Sequence, residues 1–167
     1  MPNRVEYRAF TASYNVSVKR LISPASILPI LTVNKTASSI PNQIRAFWDT
    51  GATISCIKPE LFNRLQLRLY NTAGLTTIAG VGGKIEAALT LVNLFLTSTF
   101  VITFCPLYIT DFPGKADVLI GMDIIQMGDF AVCNADSKTS FSFAMPPFSD
   151  RIDLAHKAEN ANKNNSI

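Results

Sequence analysis

The most informative stretch of the sequence is Phe47-Trp48-Asp49-Thr50-Gly51-Ala52. Two large apolar residues lead an aspartate into a sharp turn, which is completed by small residues. A carboxylate in such surroundings is costly to bury unless it is hydrogen-bonded or takes part in chemistry. Glycine allows a ligand or a second chain to approach the backbone closely, and the threonine hydroxyl can hold the turn by a hydrogen bond. The stretch makes Asp49 the candidate catalytic residue.

The Asp-Thr-Gly triplet on its own is weak support, since it also occurs in ordinary turns. The residues on either side of the triplet favour a catalytic site. Residues 43–48 before it have strand character, and the run over residues 53–57 after it is apolar. An aspartate between two apolar strands is not typical of a surface turn.

Most of the remaining pattern predicts strands. Apolar and polar residues alternate over 12–18 and 27–33, with Ser23-Pro24 as the predicted break between the two strands. Residues 59–65 predict a short helix that begins near Pro59. Strands at short intervals with little helix indicate an all-β fold with a closed barrel.

The uncharged stretch over residues 87–110 allows two interpretations. It is rich in the threonine, valine, isoleucine and phenylalanine that strands favour. Thr97-Ser98-Thr99 divides it into two strand-length pieces, which predicts a buried hairpin. The alternative is a membrane anchor, because a spanning helix needs about 20 mostly apolar residues.

Domain organisation and composition limit the range of possible functions. We expect a loose segment over residues 1–10, one domain over 11–148 and a polar, disordered tail over 149–167. The formal net charge of +3 is scattered, so no nucleic-acid partner is expected. Three widely spaced cysteines and a single histidine argue against a disulfide framework or a metal site. We expect no cofactor, no metal, no membrane partner and a cytoplasmic location.

Three motifs resemble those of one protein family, and they follow the same order along the chain as in that family. Trp48-Asp49-Thr50-Gly51-Ala52 resembles the active-site loop of the retroviral-type (retropepsin-like) aspartic proteases. Val118-Leu119-Ile120-Gly121-Met122-Asp123 is similar to the strand, glycine and helix that cross behind that loop. Gly80-Val81-Gly82-Gly83 lies where the family has its glycine-rich flap. The resemblance spans residues 10–145 and is stronger to single-domain non-viral members.

The resemblance implies an aspartic endopeptidase built on a retropepsin-type closed β-barrel with one or two short helices. Each chain has a single Asp-Thr-Gly, whereas the reaction needs two carboxyl groups that share a proton. It therefore implies a two-fold homodimer in which each subunit contributes Asp49 and a peptide or protein is the substrate. Thr50, Gly51 and Ala52 would support the catalytic loop. The residues assigned to substrate binding are Thr53, Ile78, Ala79, Gly80, Val81, Gly82, Leu119 and Ile120.

Several alternatives stay open from the sequence. The residues of the flap could form only a hairpin turn, and Leu119 and Ile120 could be core residues alone. Asp123 is interpreted as a helix-start cap rather than a catalytic acid. At the level of the whole protein, the alternative is a non-catalytic dimeric peptide-binding module on the same fold.

Overall fold

The structure is a computed structural model that describes residues 5–30, 41–70, 76–80, 83–150 and 152–164, with the side chains of 76–80 and 83–85 outside the description. The described strands are β1 Arg8–Ser13, β2 Leu21–Pro29, β3 Asn42–Trp48, β4 Cys56–Ile57, β5 Thr76–Gly80, β6 Gly83–Phe95, β7 Val101–Ile109, β8 Val118–Ile120, β9 Asp129–Ala135 and β10 Lys138–Met145. The described helices are α1 Pro59–Arg64, α2 Met122–Ile125 and α3 Leu154–Asn164.

Six strands form a closed barrel. They follow the order β2-β3-β8-β4-β7-β6, and the pairing of β2 with β6 closes the circle. At the closure Ile27 lies opposite Leu94, and both side chains are fully buried. β5 continues the sheet beyond β6. The predicted all-β fold with a closed barrel and short helices is confirmed.

The alternation in β3 decides which of its faces lines the barrel. Ile44, Ala46 and Trp48 are buried, whereas Gln43 and Arg45 on the opposite face are exposed. This period of two is the pleat of a strand with one face in a core. Asp49 follows Trp48 directly, so the barrel wall ends at the candidate catalytic residue.

A second sheet covers the end of the barrel beside Trp48. Its three strands follow the order β1-β10-β9. The Trp48 ring stacks on Phe130 with 5.6 Å between centroids and 13° between planes, and it lies 5.2 Å from the ring of Phe143. Aromatic pairs of this kind contribute ~0.5–1.5 kcal/mol beyond their burial. The contacts join the second sheet to the strand that carries Asp49.

The uncharged stretch forms the predicted hairpin. β6 and β7 pair antiparallel and are joined by residues 96–100. In the turn the Phe100 N–H donates to Thr97 Oγ1 at 3.0 Å. Among the described residues, no helix has the length and apolar character that crossing a membrane requires.

The first two strands lie elsewhere than predicted. β1 ends at Ser13 rather than near residue 18, and β2 spans Leu21–Pro29, so the predicted break falls inside it. Ser23 points inward and its hydroxyl accepts a hydrogen bond from Trp48 Nε1–H at 3.0 Å, while Pro24 faces outward. A proline on the outer face does not interrupt the packing of the strand, which is why the break was wrong.

The two chain ends contain regular elements. β1 begins at Arg8, inside the segment expected to be loose. The segment expected to be a polar tail contains α3, whose described residues are all exposed. The domain over residues 11–148 stays a prediction.

Candidate active site

The Asp49 loop is held by its own backbone and by the neighbouring strand β8. The Asp49 N–H donates to the Ile120 carbonyl at 2.9 Å. Inside the loop the Ala52 N–H donates to the Asp49 carbonyl at 3.2 Å. Because β3 and β8 are parallel, with Trp48 opposite Ile120, the loop leaves the sheet where β8 also ends.

The Asp49 carboxylate is half-buried and is oriented by one hydrogen bond. The Gly51 N–H donates to Asp49 Oδ1 at 2.9 Å. No donor among the residues that the structure describes reaches Oδ2. Thr50 and Gly51 are exposed in the single chain. The carboxylate therefore has a fixed direction and one oxygen open to a partner.

Gly121 allows the loop to pass closely behind β8. A Cβ atom added to Gly121 would lie 2.4 Å from the Ile54 carbonyl oxygen and 2.6 Å from its carbon. Any side chain would displace the loop backbone, since separations below about 3 Å are strongly repulsive. The glycine is required here for close approach, because its backbone angle φ of −97° suits any residue.

The loop is also bonded to the first turn of α2. The Met122 N–H donates to the Ala52 carbonyl at 2.8 Å, and the Asp123 N–H donates to the Thr53 carbonyl at 3.2 Å. These two donors belong to the free N–H groups at the start of a helix. The predicted motif from Val118 to Asp123 thus lies directly against the predicted catalytic loop.

The Asp123 side chain bonds to the loop, which the sequence interpretation missed. Its Oδ2 accepts the Ser55 N–H at 2.9 Å, and its Oδ1 accepts the Ser55 hydroxyl at 2.6 Å. Oδ1 also accepts the Ile124 N–H at 2.9 Å. The residue at the cap position of α2 is Gly121, which makes no side-chain cap bond. The prediction of a simple helix-start cap for Asp123 is therefore corrected to a link between α2 and Ser55.

A small apolar cluster lies beside the loop and apart from the barrel core. Leu119 belongs to it, next to Phe47 in register, whereas the side chain of Ile120 lies in the core. Of the two wall residues predicted on β8, only Leu119 is on the same face as Phe47. The cluster consists of Cys56, Phe112, Ala116 and Leu119, with Phe47, Ala52, Ile54 and Tyr108 packed against it.

The sequence of this region matches one protein family. Residues 31–124, more than half of the chain, match the family model described as aspartyl protease. The chain belongs to the aspartyl protease family. No curated protein matches the sequence.

The chain is similar to several solved protease structures. A retropepsin-like aspartic protease from Rickettsia conorii has a TM-score of 0.50 at 12% identity, covering 85% of this chain and 98% of that one. The EIAV protease complexed with the inhibitor HBY-793 has a TM-score of 0.47 at 28% identity, covering 68% and 90%. The retroviral protease-like domain of Ddi1 from Leishmania major has a TM-score of 0.46 at 21% identity, covering 69% and 82%.

The predicted flap region of this aspartyl protease family member is a β-hairpin. Ile78 pairs with Ile85, and Gly80 pairs with Gly83, across β5 and β6. Ile78, Ala79 and Gly80 lie in β5, and their side chains are outside the described set. Val81 and Gly82 lie outside the described residues. The predicted hairpin strands are confirmed, whereas the role of a flap stays a prediction.

Two buried thiols lie near the Asp123 charge. Burial raises the pKa of Cys56 to about 11, and the negative charge of Asp123 adds to the rise. The same two causes raise the pKa of Cys105 to about 12. A thiol that stays protonated is a poor nucleophile and a poor metal ligand. Within the described residues, no group of three His, Cys, Asp or Glu side chains is arranged to hold a metal ion.

A cavity of about 940 Å³ lies away from the Asp49 loop. Its walls come from β2, β3 and the turn between β6 and β7, and they include Ile44, Arg45, Phe95 and Asp117. Of the predicted site residues that the structure describes, none lines it. We therefore base the candidate site on the loop geometry and not on this cavity.

Proposed function

We propose that the protein is an aspartic endopeptidase in which Asp49 from each of two subunits forms the catalytic pair. The observation that carries this proposal is the geometry of the Asp49 carboxylate. Its Oδ1 accepts the Gly51 N–H at 2.9 Å, and no described donor reaches its Oδ2. A carboxylate with one oriented oxygen and one open oxygen is suited to share a proton with a second carboxyl group.

The second carboxyl group comes from another copy of the chain. Among the described residues, the acidic side chain bonded to the loop region is Asp123, and its oxygens accept three hydrogen bonds from Ser55 and Ile124. Both oxygens of Asp123 are thus already engaged in hydrogen bonds that hold the loop. A two-fold axis through the exposed Thr50 and Gly51 would bring Asp49 and its symmetry mate together.

The chemistry then needs no cofactor. The ionised carboxyl group removes a proton from a water molecule, whose oxygen attacks the carbonyl carbon of the scissile peptide bond. The protonated carboxyl group donates its proton to the carbonyl oxygen. The pair then donates its proton to the amide nitrogen and takes one from a hydroxyl group of the tetrahedral intermediate. The C–N bond breaks, an acid and an amine leave, and the pair again holds one proton.

The other assigned roles follow from position. Thr50 would contact its mate at the axis, while Gly51, Ala52 and Thr53 would present backbone groups to the peptide. Leu119 lies in the apolar cluster beside the loop, which supports a role as a pocket wall. The hairpin of β5 and β6, which contains Ile78, Ala79 and Gly80, would close over the substrate. The same role is proposed for Val81 and Gly82.

The cellular location is part of the proposal. The three cysteines are free, and free cysteines are typical of a reducing compartment. We therefore propose a cytoplasmic enzyme.

The first test compares the cleavage of a peptide library by the wild type, Asp49→Asn and Asp136→Asn at pH ~4 to ~7. Asp136 is the matched control because it is an exposed aspartate in the turn between β9 and β10. We expect the same cuts from the wild type and Asp136→Asn and none from Asp49→Asn. Cleavage by Asp49→Asn would remove Asp49 from the mechanism. A folded, dimeric wild type that cuts nothing would favour the peptide-binding module.

Subunit mixing tests the shared site. One part of wild type is equilibrated with roughly nine parts of Asp49→Asn, so that only about a tenth of the wild-type chains pair with each other. The specific activity per wild-type chain should fall about tenfold. Adding Asp136→Asn instead should raise total activity. An unchanged specific activity after mixing with Asp49→Asn would mean that each chain has a complete site.

A further inference from the structure

A buried hydrogen-bond network joins the far end of the Asp49 loop to the turn between β8 and α2. Ser55 is fully buried. Its hydroxyl accepts the Gly121 N–H at 2.9 Å and donates to Asp123 Oδ1 at 2.6 Å. Its own N–H donates to Asp123 Oδ2 at 2.9 Å. The network therefore uses both the donor and the acceptor capacity of one hydroxyl group.

The two ends of the loop are fixed to the same structural unit. At the start, the Asp49 N–H bonds the carbonyl of Ile120. At the end, Ser55 bonds Gly121 and Asp123. Since these partners are adjacent in sequence, a shift of α2 against β4 changes the position of the loop as a whole.

We propose that Ser55 and Asp123 are positioning residues that fix the direction of the Asp49 carboxylate, an inference that rests on the proposed function. Asp123 acts through Ser55 and the loop backbone and does not touch the substrate. Its carboxylate only accepts hydrogen bonds, and the three donors around its oxygens are two groups of Ser55 and the Ile124 N–H. A carboxylate suits this position because each of its oxygens accepts at least one bond.

Removing the Ser55 hydroxyl has a defined local effect. The buried N–H of Gly121 loses its acceptor, and Asp123 loses its shortest bond in this network. A buried donor without a partner is unfavourable, so the turn between β8 and α2 will move or open. The backbone bonds from Met122 and Asp123 to the loop should then weaken.

The matched control is Thr139, a second buried hydroxyl with the same pattern of bonds. It accepts the Val18 N–H at 3.1 Å and donates to Asn134 Oδ1 at 2.6 Å. It lies in β10, in the other sheet. Thr139→Val removes a comparable pair of bonds without touching the Asp49 loop.

The experiment measures kcat, KM and amide hydrogen exchange for Ser55→Ala, Ser55→Thr and Thr139→Val, all at a temperature at which each variant is folded and dimeric. For Ser55→Ala we expect kcat to fall at least about tenfold with KM within about twofold, because the reacting group is misplaced. The Met122 and Asp123 amides should exchange faster. Ser55→Thr, which keeps the hydroxyl, should restore both quantities. Thr139→Val should change neither.

Two results for folded variants would overturn the inference. Wild-type kcat and wild-type exchange in folded Ser55→Ala would show that the network does not position the loop. An equal loss of kcat in Thr139→Val would show a general effect of stability. If Ser55→Ala does not fold, Asp123→Asn replaces it. In either orientation of the amide, its NH₂ group faces a backbone N–H, that of Ser55 or that of Ile124, and the substitution should produce the same two changes. If the wild type cleaves no peptide, the proposed function fails, and the exchange rates alone decide whether the network holds the loop.

Discussion

Substitution of Gly121 by alanine tests the close contact between the loop and β8. The added Cβ would lie 2.4 Å from the Ile54 carbonyl oxygen and 2.9 Å from the Ile54 nitrogen. The first separation is shorter by about 1 Å than the optimum for non-bonded heavy atoms. The obstructing atoms belong to the backbone, and the loop is bonded to α2 through the Ala52 and Thr53 carbonyls. The loop therefore has to move as a unit.

The expected effect is large for both stability and activity. Overpacking costs typically ~1–3 kcal/mol, and we expect about 3 kcal/mol for Gly121→Ala because no side chain can rotate away. For a chain of this size, Tm should fall by roughly 6–12 °C. A displacement of about 1 Å at a reacting group reduces the rate about a hundredfold. Calorimetry and kcat measurements on the same preparations would give both values.

Gly51→Ala is the control for this substitution. The Cβ at Gly51 would lie 3.2 Å from Asp49 Oδ1, a side-chain atom, and Gly51 is exposed. At a concentration at which both proteins are monomeric, its Tm should stay within about 2 °C of the wild type, because little packing changes at a position that is exposed in the single chain. A Gly121→Ala protein with wild-type Tm and kcat would refute the argument that the loop requires glycine at its back.

Three further predictions concern the thiols and the core. At pH ~8 a maleimide should modify the exposed Cys133 in the native protein, and mass spectrometry should find Cys56 and Cys105, both buried, modified only after unfolding. Folding raises the pKa of Cys105 from 9.0 to about 12. The free energy of unfolding that this shift contributes is fully present below pH ~9 and is lost as the pH rises above that value, at about 1.4 kcal/mol per pH unit. The decline in urea-unfolding free energy above pH ~9 should therefore be less steep in Cys105→Ala than in the wild type, and equal slopes would contradict the assignment. Phe143→Ala, at a fully buried ring stacked on that of Phe100 at 5.8 Å, should reduce the unfolding free energy by about 3–5 kcal/mol, and a loss below about 1 kcal/mol would contradict the assigned packing.

The sequence was sufficient to predict the elements around the site. The Asp49 loop, the hairpin over residues 87–110 and the turn at Gly121 depend on local patterns, which are apolar runs, polar breaks and small residues at close contacts. Each pattern is complete within one continuous segment of the chain, so it can be interpreted without knowledge of the tertiary structure. The last hairpin is local in the same way, with Asp136 and Ser137 at its tip, both at positive φ.

The features that were missed depend on partners distant in sequence. Ser23 lies inside β2, which pairs with β3, and its hydroxyl bonds the Trp48 side chain, 25 residues away. The sequence left Ile120 open between a pocket wall and the core, and the pairing of β8 with β3 places its side chain in the core. The bond between Ser55 and Asp123 joins residues 68 apart. The one available signal was a serine inside an apolar run and an aspartate after Gly121, two polar residues that need partners when buried.

The position of Trp48, where the second sheet packs on the barrel, has a practical consequence. It is the only tryptophan in the chain, its side chain is buried against Phe130, and the next residue is Asp49. Its fluorescence emission is therefore an intrinsic optical signal that originates one residue from the candidate catalytic carboxylate. Docking of the second sheet on the barrel, and movement of the Asp49 strand when a ligand binds, are both open to observation in the unlabelled protein.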